Sequence, residues 1–295
     1  MLPPDWFTDV TESLQTRLLE GTLPHAICLT SAPGWGLEHL AIEVAKLLLQ
    51  SDKQLNADNV REFAHPDFRW TEPDGAEIKV DQIRQINQFS VQTSQMAARK
   101  VAVVWEAEKL NENAANALLK TLEEPPADTH IILVSENWGR VLPTIRSRCQ
   151  RWSLTQDETL GRRWLEANGV NVDEMTFAIA GASPMPIYDY WSRNQSAGFD
   201  VTGWLQDAQR NTNSASLSKI DQLDPIYVLN IWYRRIKLHL SSEFIPGLDV
   251  SARQLHGFTD QLLSVRRQIE TKNSARVSAN LMIEGLLVEW RKIAG

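Results

Sequence analysis

A chain of 295 residues, 43% hydrophobic and 23% charged, has the size and composition of about two soluble globular domains. Its net charge of -7 and pI near 5.5 argue against the broadly basic surface that independent nucleic-acid binding needs. Two distant cysteines, Cys28 and Cys149, argue against a disulfide framework or a Cys-x-x-Cys zinc module. No run of about 18 apolar residues offers a membrane span, and Met1–Trp6 lacks the basic-then-apolar order of a signal peptide. A cytoplasmic protein is expected.

In chain order, Ala26–Thr30 is a short apolar run leading into a Gly-containing turn. From Glu38 to Gln50, Leu40, Ala41, Val44, Ala45, Leu47 and Leu48 recur at helical spacing. Phe68–Trp70 reads as a second strand, and Val80, Ile83, Ile86 and Phe89 as the stripe of a second helix. Val101–Trp105 and Ile131–Val134 are buried-strand runs. Between them, Asn111–Leu122 is a helix stopped by Glu123-Glu124-Pro125-Pro126, because proline cannot continue it. Arg151–Leu154 is the last strand candidate.

Strands that alternate with helices and are apolar on both faces predict a parallel sheet covered on both sides. Beyond residue 155 the signals are helical. Gln156–Asn168 and Val172–Ala180 come first, then a break at Gly181-Ala182-Ser183-Pro184. Later stripes run through Ile226, Leu229, Trp232, Tyr233, Ile236 and Leu240, through Leu255, Phe258, Leu262 and Val265, and through Leu281, Leu286, Leu287 and Trp290. The polar stretch Gln209–Ser218 reads as a loop. The expected division is an α/β domain over 1–155, a small helical domain over 156–198 and a larger helical domain over 199–295. The 11 tryptophans are read as packing residues, given the area each indole buries.

The loop after the first strand is Ser31-Ala32-Pro33-Gly34-Trp35-Gly36-Leu37-Glu38. It has the placement of a P-loop, G-x-x-x-x-G-K-[ST], whose amides cradle phosphate, whose Lys neutralises it and whose hydroxyl holds magnesium. Ser31 replaces the first glycine, Leu37 the lysine and Glu38 the hydroxyl residue. Leucine cannot offset phosphate charge. A glutamate at a helix N-terminus complements the dipole of an empty site and repels a phosphate. The acidic pair expected after the third strand is altered in the same way, with Trp105 in the first position and only Glu106 in the second. Glu106 is read as a solvated strand-end carboxylate. Neither ATP nor a metal is expected to bind.

Two later stretches are more specific: Asn116-Ala117-Leu118-Leu119-Lys120-Thr121-Leu122-Glu123-Glu124-Pro125-Pro126, and Thr144-Ile145-Arg146-Ser147-Arg148-Cys149. Together they resemble the sliding-clamp loader subunits of the AAA+ superfamily, which include the bacterial gamma/tau and delta prime subunits and the replication factor C proteins. Pro24-His25-Ala26, His65-Pro66-Asp67 and Ile78–Arg84 agree with that resemblance, which covers about residues 20–155. It implies a P-loop NTPase-like sheet domain, a small lid domain and an all-α collar. Gamma and tau should keep the loop Lys and Ser/Thr, and delta lacks Ser-Arg-Cys. A degenerate loop beside an intact Ser147-Arg148-Cys149 therefore resembles the branch that serves a neighbour's ATP site.

The resemblance implies a trans role for Arg148 at a gamma/tau subunit, with Ser147 and Cys149 shaping the helix around it. It implies packing with gamma/tau and delta, and action on the beta clamp and primer-template DNA through the assembly. Arg146 and Arg151 would add general positive potential. The four-cysteine zinc module common in the family is missing from the short Gln50–Ala64 segment, so zinc is not carried over. Two alternatives remain at this level: a divergent ATPase using another cation such as Lys46, and an independent DNA-binding module.

Overall fold

The computed structural model describes residues 3–50, 54–172, 174–194, 204, 225–240, 250–272 and 276–294. They form two compact units, Met1–Asn168 and Gly169–Gly295. The predicted loop Gln209–Ser218 lies outside the described residues.

The first unit is built on five parallel strands: β1 (Ala26–Thr30), β2 (Phe68–Thr71), β3 (Lys100–Val104), β4 (Thr129–Ser135) and β5 (Gln150–Ser153), in the order β2-β3-β4-β1-β5. β1, β3 and β4 are buried along their whole length, as apolar runs with covered faces must be. β5 departs from that pattern. Its pattern is polar and it is exposed except at Trp152, because it is an edge strand paired only with β1.

Helix α1 (Thr8–Leu19) precedes the sheet; α2 (Leu37–Leu49), α3 (Val80–Ser90), α4 (Glu112–Glu123) and α5 (Pro143–Arg146) are interleaved with the strands. α6 (Glu158–Ala167) follows β5 and packs near the Asp5–Phe7 turn. α2 packs on β1, β3 and β4. On another face Ala26, Cys28, Ala102, Val104, Ile131 and Leu133, which alternate along their strands, meet Ile83, Ile86, Leu118 and Leu122 of α3 and α4. α1 was not legible in the sequence, since only Val10 and Leu14 of its 12 residues are buried.

Local chemistry explains several of the motif residues. The Gln82 side chain accepts from the Lys79 N–H at 2.9 Å, capping the start of α3. Asn111 caps α4 by accepting from the Ala114 N–H at 2.9 Å. Asn87 of α3 donates to the Ala117 carbonyl at 2.7 Å and accepts from Thr121 at 2.9 Å, locking α3 to α4. His25 Nε2 lies 2.7 Å from the Leu122 carbonyl, joining the start of β1 to the end of α4.

Asp67 is fully buried and accepts three backbone N–H groups, from Gln95, Met96 and Ala97, at 2.7, 2.6 and 2.7 Å. Burial raises its carboxyl pKa, but these three donors outweigh it and hold the carboxyl below its usual range. Asp67→Asn should therefore cost about 2–3 kcal/mol, because a weaker acceptor faces three donors. A folded pKa below the unfolded one stabilises above about pH 4 and loses that effect in more acid solution. The gap in unfolding temperature between wild type and Asp67→Asn should accordingly narrow below pH 4, as read by thermal melts.

The second unit contains α7 (Glu174–Ile179), α8 (Pro184–Asn194) and three longer helices, Pro225–Leu240, Ala252–Lys272 and Arg276–Ala294. Gly181, at the break between α7 and α8, has φ +96°, and a Cβ there would come 2.2 Å from the Arg234 guanidinium. The left-handed φ favours glycine, whereas the Arg234 guanidinium, at the end of a flexible side chain, could move aside. Trp232 is the centre of the core, edge-on to Trp204 at 5.1 Å and to Trp290 at 5.9 Å, with Phe258 at 5.1 Å. Six of the 11 tryptophans are buried and the others are half-buried, which agrees with their reading as packing residues. Leu281, one of the apolar residues that suggest the last helix, is 60% exposed, and Val288, seven residues on and on the same side of the helix, is 48% exposed.

Candidate functional site

In an open parallel sheet, ligands bind at the carboxyl ends of strands where successive connections leave in opposite directions. The strand order places that point at β1 and β4, because β1 connects toward β2 while β4 connects across to β5. The loop Ser31–Gly36 leaves β1 there and Glu136 leaves β4 there.

The loop turns on two glycines. Gly34 and Gly36 have φ of +82° and +80°, and Gly36 stands at the N-cap of α2. Pro33 is exposed, whereas Ser31 is buried and turns its hydroxyl onto the Ala32 carbonyl at 2.8 Å. Leu37, at the lysine position, is 2% exposed and joins the core. Glu38, at the hydroxyl position, has Oε1 2.9 Å from Arg61 Nη1, an ionic contact without hydrogen-bond geometry. The same Arg61 donates through Nε to Glu72 at 2.9 Å.

Tryptophans fill the surroundings of the loop. Trp35 is 3% exposed. Trp6 meets it edge-on at 5.3 Å and donates its indole N–H to the Trp35 carbonyl at 3.0 Å, and Trp164 of α6 meets Trp6 at 5.5 Å. Trp105 stacks on Trp70 at 5.8 Å with 22° between planes. Glu106 has φ +56° and pairs with Lys109 at 2.8 Å, so it is a half-buried paired carboxylate rather than the solvated one expected. Lys46, the alternative cation, pairs with Glu43 at 2.8 Å and lines a groove between α1 and α2 with Thr11, Gln15 and Leu18, away from the loop.

Glu136 completes the picture at the strand ends. The nearby Gly34 N–H lowers the pKa of its carboxyl. Local desolvation first, then Glu108 and Glu106, outweigh that and push the carboxyl up to about 7. A folded pKa raised above the ordinary glutamate value of 4.5 favours the fold fully below about pH 4.5, and the contribution is lost as pH rises through 7. Glu136→Gln should flatten that slope, so its gain in unfolding temperature over wild type should be larger at pH 8 than at pH 5. Equal gains at both pH values would refute this.

The second constellation lies on the opposite flank of β1. α5 presents Arg146 at its last turn, and Ser147, Arg148 and Cys149 follow. Ser147 is exposed, and its hydroxyl donates to the Thr144 carbonyl at 3.0 Å. Arg148 is one-third exposed and reaches Glu123 at the end of α4. Cys149 is half-buried and packs against the sheet core, with desolvation pushing its thiol up to about 12; burial also raises the thiol of Cys28. Cys149 thus packs as a neutral thiol. Arg146 and Arg151 both lie over the Trp138 ring, 5.7 and 5.1 Å from its centroid, so the three arginines are held differently.

The fold therefore sets the phosphate-loop residues together at one sheet end, and places Ser147–Cys149 as a separate surface feature. Sequence reasoning missed Trp6, Trp164, Arg61 and Glu136. Only Glu136 had a local signal, as a carboxylate directly after a buried strand.

A family model described as DNA polymerase III, delta subunit, matches residues 7–158. DNA polymerase III subunit delta' of Pseudomonas aeruginosa is 31% identical over 260 residues, 78% of this chain and 78% of that protein. The subunit delta' of Haemophilus influenzae is 35% identical over 185 residues, and that of Escherichia coli 31% over 155. These two matches span 57% and 46% of those proteins. Among solved structures, a gamma subunit-related protein of DNA polymerase III from Thermotoga maritima aligns with a TM-score of 0.58 at 19% identity, covering 96% of this chain and 99% of that one. The likeness shows the fold, a parallel sheet domain followed by a helical region. Among the described residues no helix is long and apolar enough to cross a membrane.

Proposed function

The chain belongs to the DNA polymerase III delta' family, and from that premise we propose that it is the non-ATP-binding stator of a bacterial clamp loader. Its Arg148 completes the ATP site of an adjacent gamma/tau subunit while the beta clamp is loaded onto primer-template DNA. The observation that carries this reading is a phosphate loop filled from within beside an arginine left at the surface. Leu37 is in the core, Glu38 is paired with Arg61, and the Glu136 carboxylate stands at the same strand ends beside Gly34. Each of these uses or opposes something a triphosphate needs. A guanidinium supplies permanent charge and planar donors suited to charge developing on a transferred phosphoryl group.

The helical second unit supplies the collar that packs with gamma/tau and delta. The exposed pair Leu281 and Val288 supports a partner face on its last helix. A divergent ATPase is the weaker reading, because Lys46 is paired with Glu43 in the α1–α2 groove. An independent DNA-binding module is opposed by the acidic balance of the chain.

Calorimetric titration of the isolated chain with ATP and magnesium decides between the first two; tight binding would sink the stator reading. Reconstitution with gamma/tau and delta then tests the positive claim. Clamp loading should require this chain, and equal loading without it would refute the role.

A further inference from the structure

The Arg148 guanidinium is engaged on all three nitrogens within its own chain. Nε donates to Glu123 Oε1 at 2.6 Å, and Nη2 contacts the same oxygen. Nη1 donates to the Thr144 carbonyl at 3.0 Å and to the Ser147 hydroxyl at 3.1 Å. The Thr144 and Ser147 contacts come from α5 and the turn after it, and they fix where the arginine starts. The Glu123 contact comes from a different helix, 25 residues away in sequence.

Glu123 is well placed to hold its partner steadily. It is the last residue of α4, and the preceding carbonyl, Leu122, is bound by His25 at the root of β1. α4 also packs on α5. Both partners nevertheless reach solvent, with side chains 33% and 49% exposed for Arg148 and Glu123. An exposed carboxylate–guanidinium pair contributes little to stability, so exchanging the carboxylate for another anion costs the fold little. The tetrahedral terminal phosphate of a nucleoside triphosphate also presents a pair of anionic oxygens to a guanidinium fork, with more charge.

We propose that Glu123 is a positioning residue that acts as a placeholder anion for Arg148. It orients the guanidinium and compensates its charge until the terminal phosphate of a nucleotide on an adjacent subunit takes its place. The inference rests on the trans role of Arg148 proposed above. Because the carboxylate stays near the arginine, it competes with the phosphate and repels it. Glu123 then sets how much nucleotide the interface needs, without entering the phosphoryl transfer.

The test uses the reconstituted complex and its DNA-stimulated ATPase, with wild-type, Glu123→Gln, Arg148→Ala and doubly substituted chains. Glu123→Gln should lower the KM for ATP about three- to tenfold and leave kcat within about twofold. Arg148→Ala should lower kcat, and adding Glu123→Gln to it should change neither parameter further. An unchanged KM in Glu123→Gln would overturn the placeholder role. So would a fall in kcat like that of Arg148→Ala, or an effect of Glu123→Gln that persists without the arginine. If Arg148→Ala itself leaves kcat intact, the trans role fails and the placeholder role with it. If Arg148→Ala is impaired and Glu123→Gln is silent, only the placeholder role fails.

Discussion

Arg148→Ala should silence one ATP site of the assembled loader while leaving this chain folded. A trans arginine contributes about 10³-fold or more to phosphoryl transfer at the site it serves. The loss should therefore appear as a missing share of the single-turnover burst, rather than a uniform slowing of every site. Folding should be nearly untouched. The side chain is one-third exposed and its ion pair is a surface pair, so the unfolding temperature should move by no more than about 2 °C. Lysine should rescue poorly, because it keeps the charge and loses the planar fork. A full burst with Arg148→Ala would refute the role. A collapsed melting curve would instead make the residue structural.

Trp6→Ala should be the most destabilising of the substitutions considered. Trp6 is 3% exposed and touches Phe7, Trp35 and Trp164, with centroids 6.0, 5.3 and 5.5 Å away. Removing a buried indole costs about 3–5 kcal/mol. For a unit of this size that corresponds to a fall of about 10 °C in the first unfolding transition. Trp6→Phe separates the two contributions. It keeps a ring and loses the N–H bond to the Trp35 carbonyl, so it should cost about 1–2 kcal/mol. Near-ultraviolet circular dichroism on heating reads both variants, and a cost below about 1 kcal/mol for Trp6→Ala would refute the packing role.

The strands and helices that were legible in the sequence are those whose own residues carry the pattern. β1, β3 and β4 are runs of apolar residues buried from end to end, and α3 shows Ile83, Ile86 and Phe89 on one face. The turn between β1 and α2 was legible for the same reason: its glycines follow an apolar strand and precede a helical stripe. What escaped detection depends on partners far along the chain. α1 buries two of its 12 residues and so has almost no stripe. Its neighbour Trp6 matters because it meets residues 29 and about 160 positions away, and no local periodicity records that. Glu106 was read as solvated because its pairing with Lys109 depends on a left-handed backbone turn that its spacing does not announce.

The tryptophan cluster has a consequence beyond packing. A nucleotide-binding domain ordinarily gains part of its stability from its ligand, in proportion to the logarithm of ligand concentration over Kd. Here Trp6 and Trp164 supply from within the chain the contacts that brace the loop. On the stator reading proposed above, such a domain should keep the same unfolding temperature with and without ATP, and so hold its shape while nucleotide-binding neighbours change theirs.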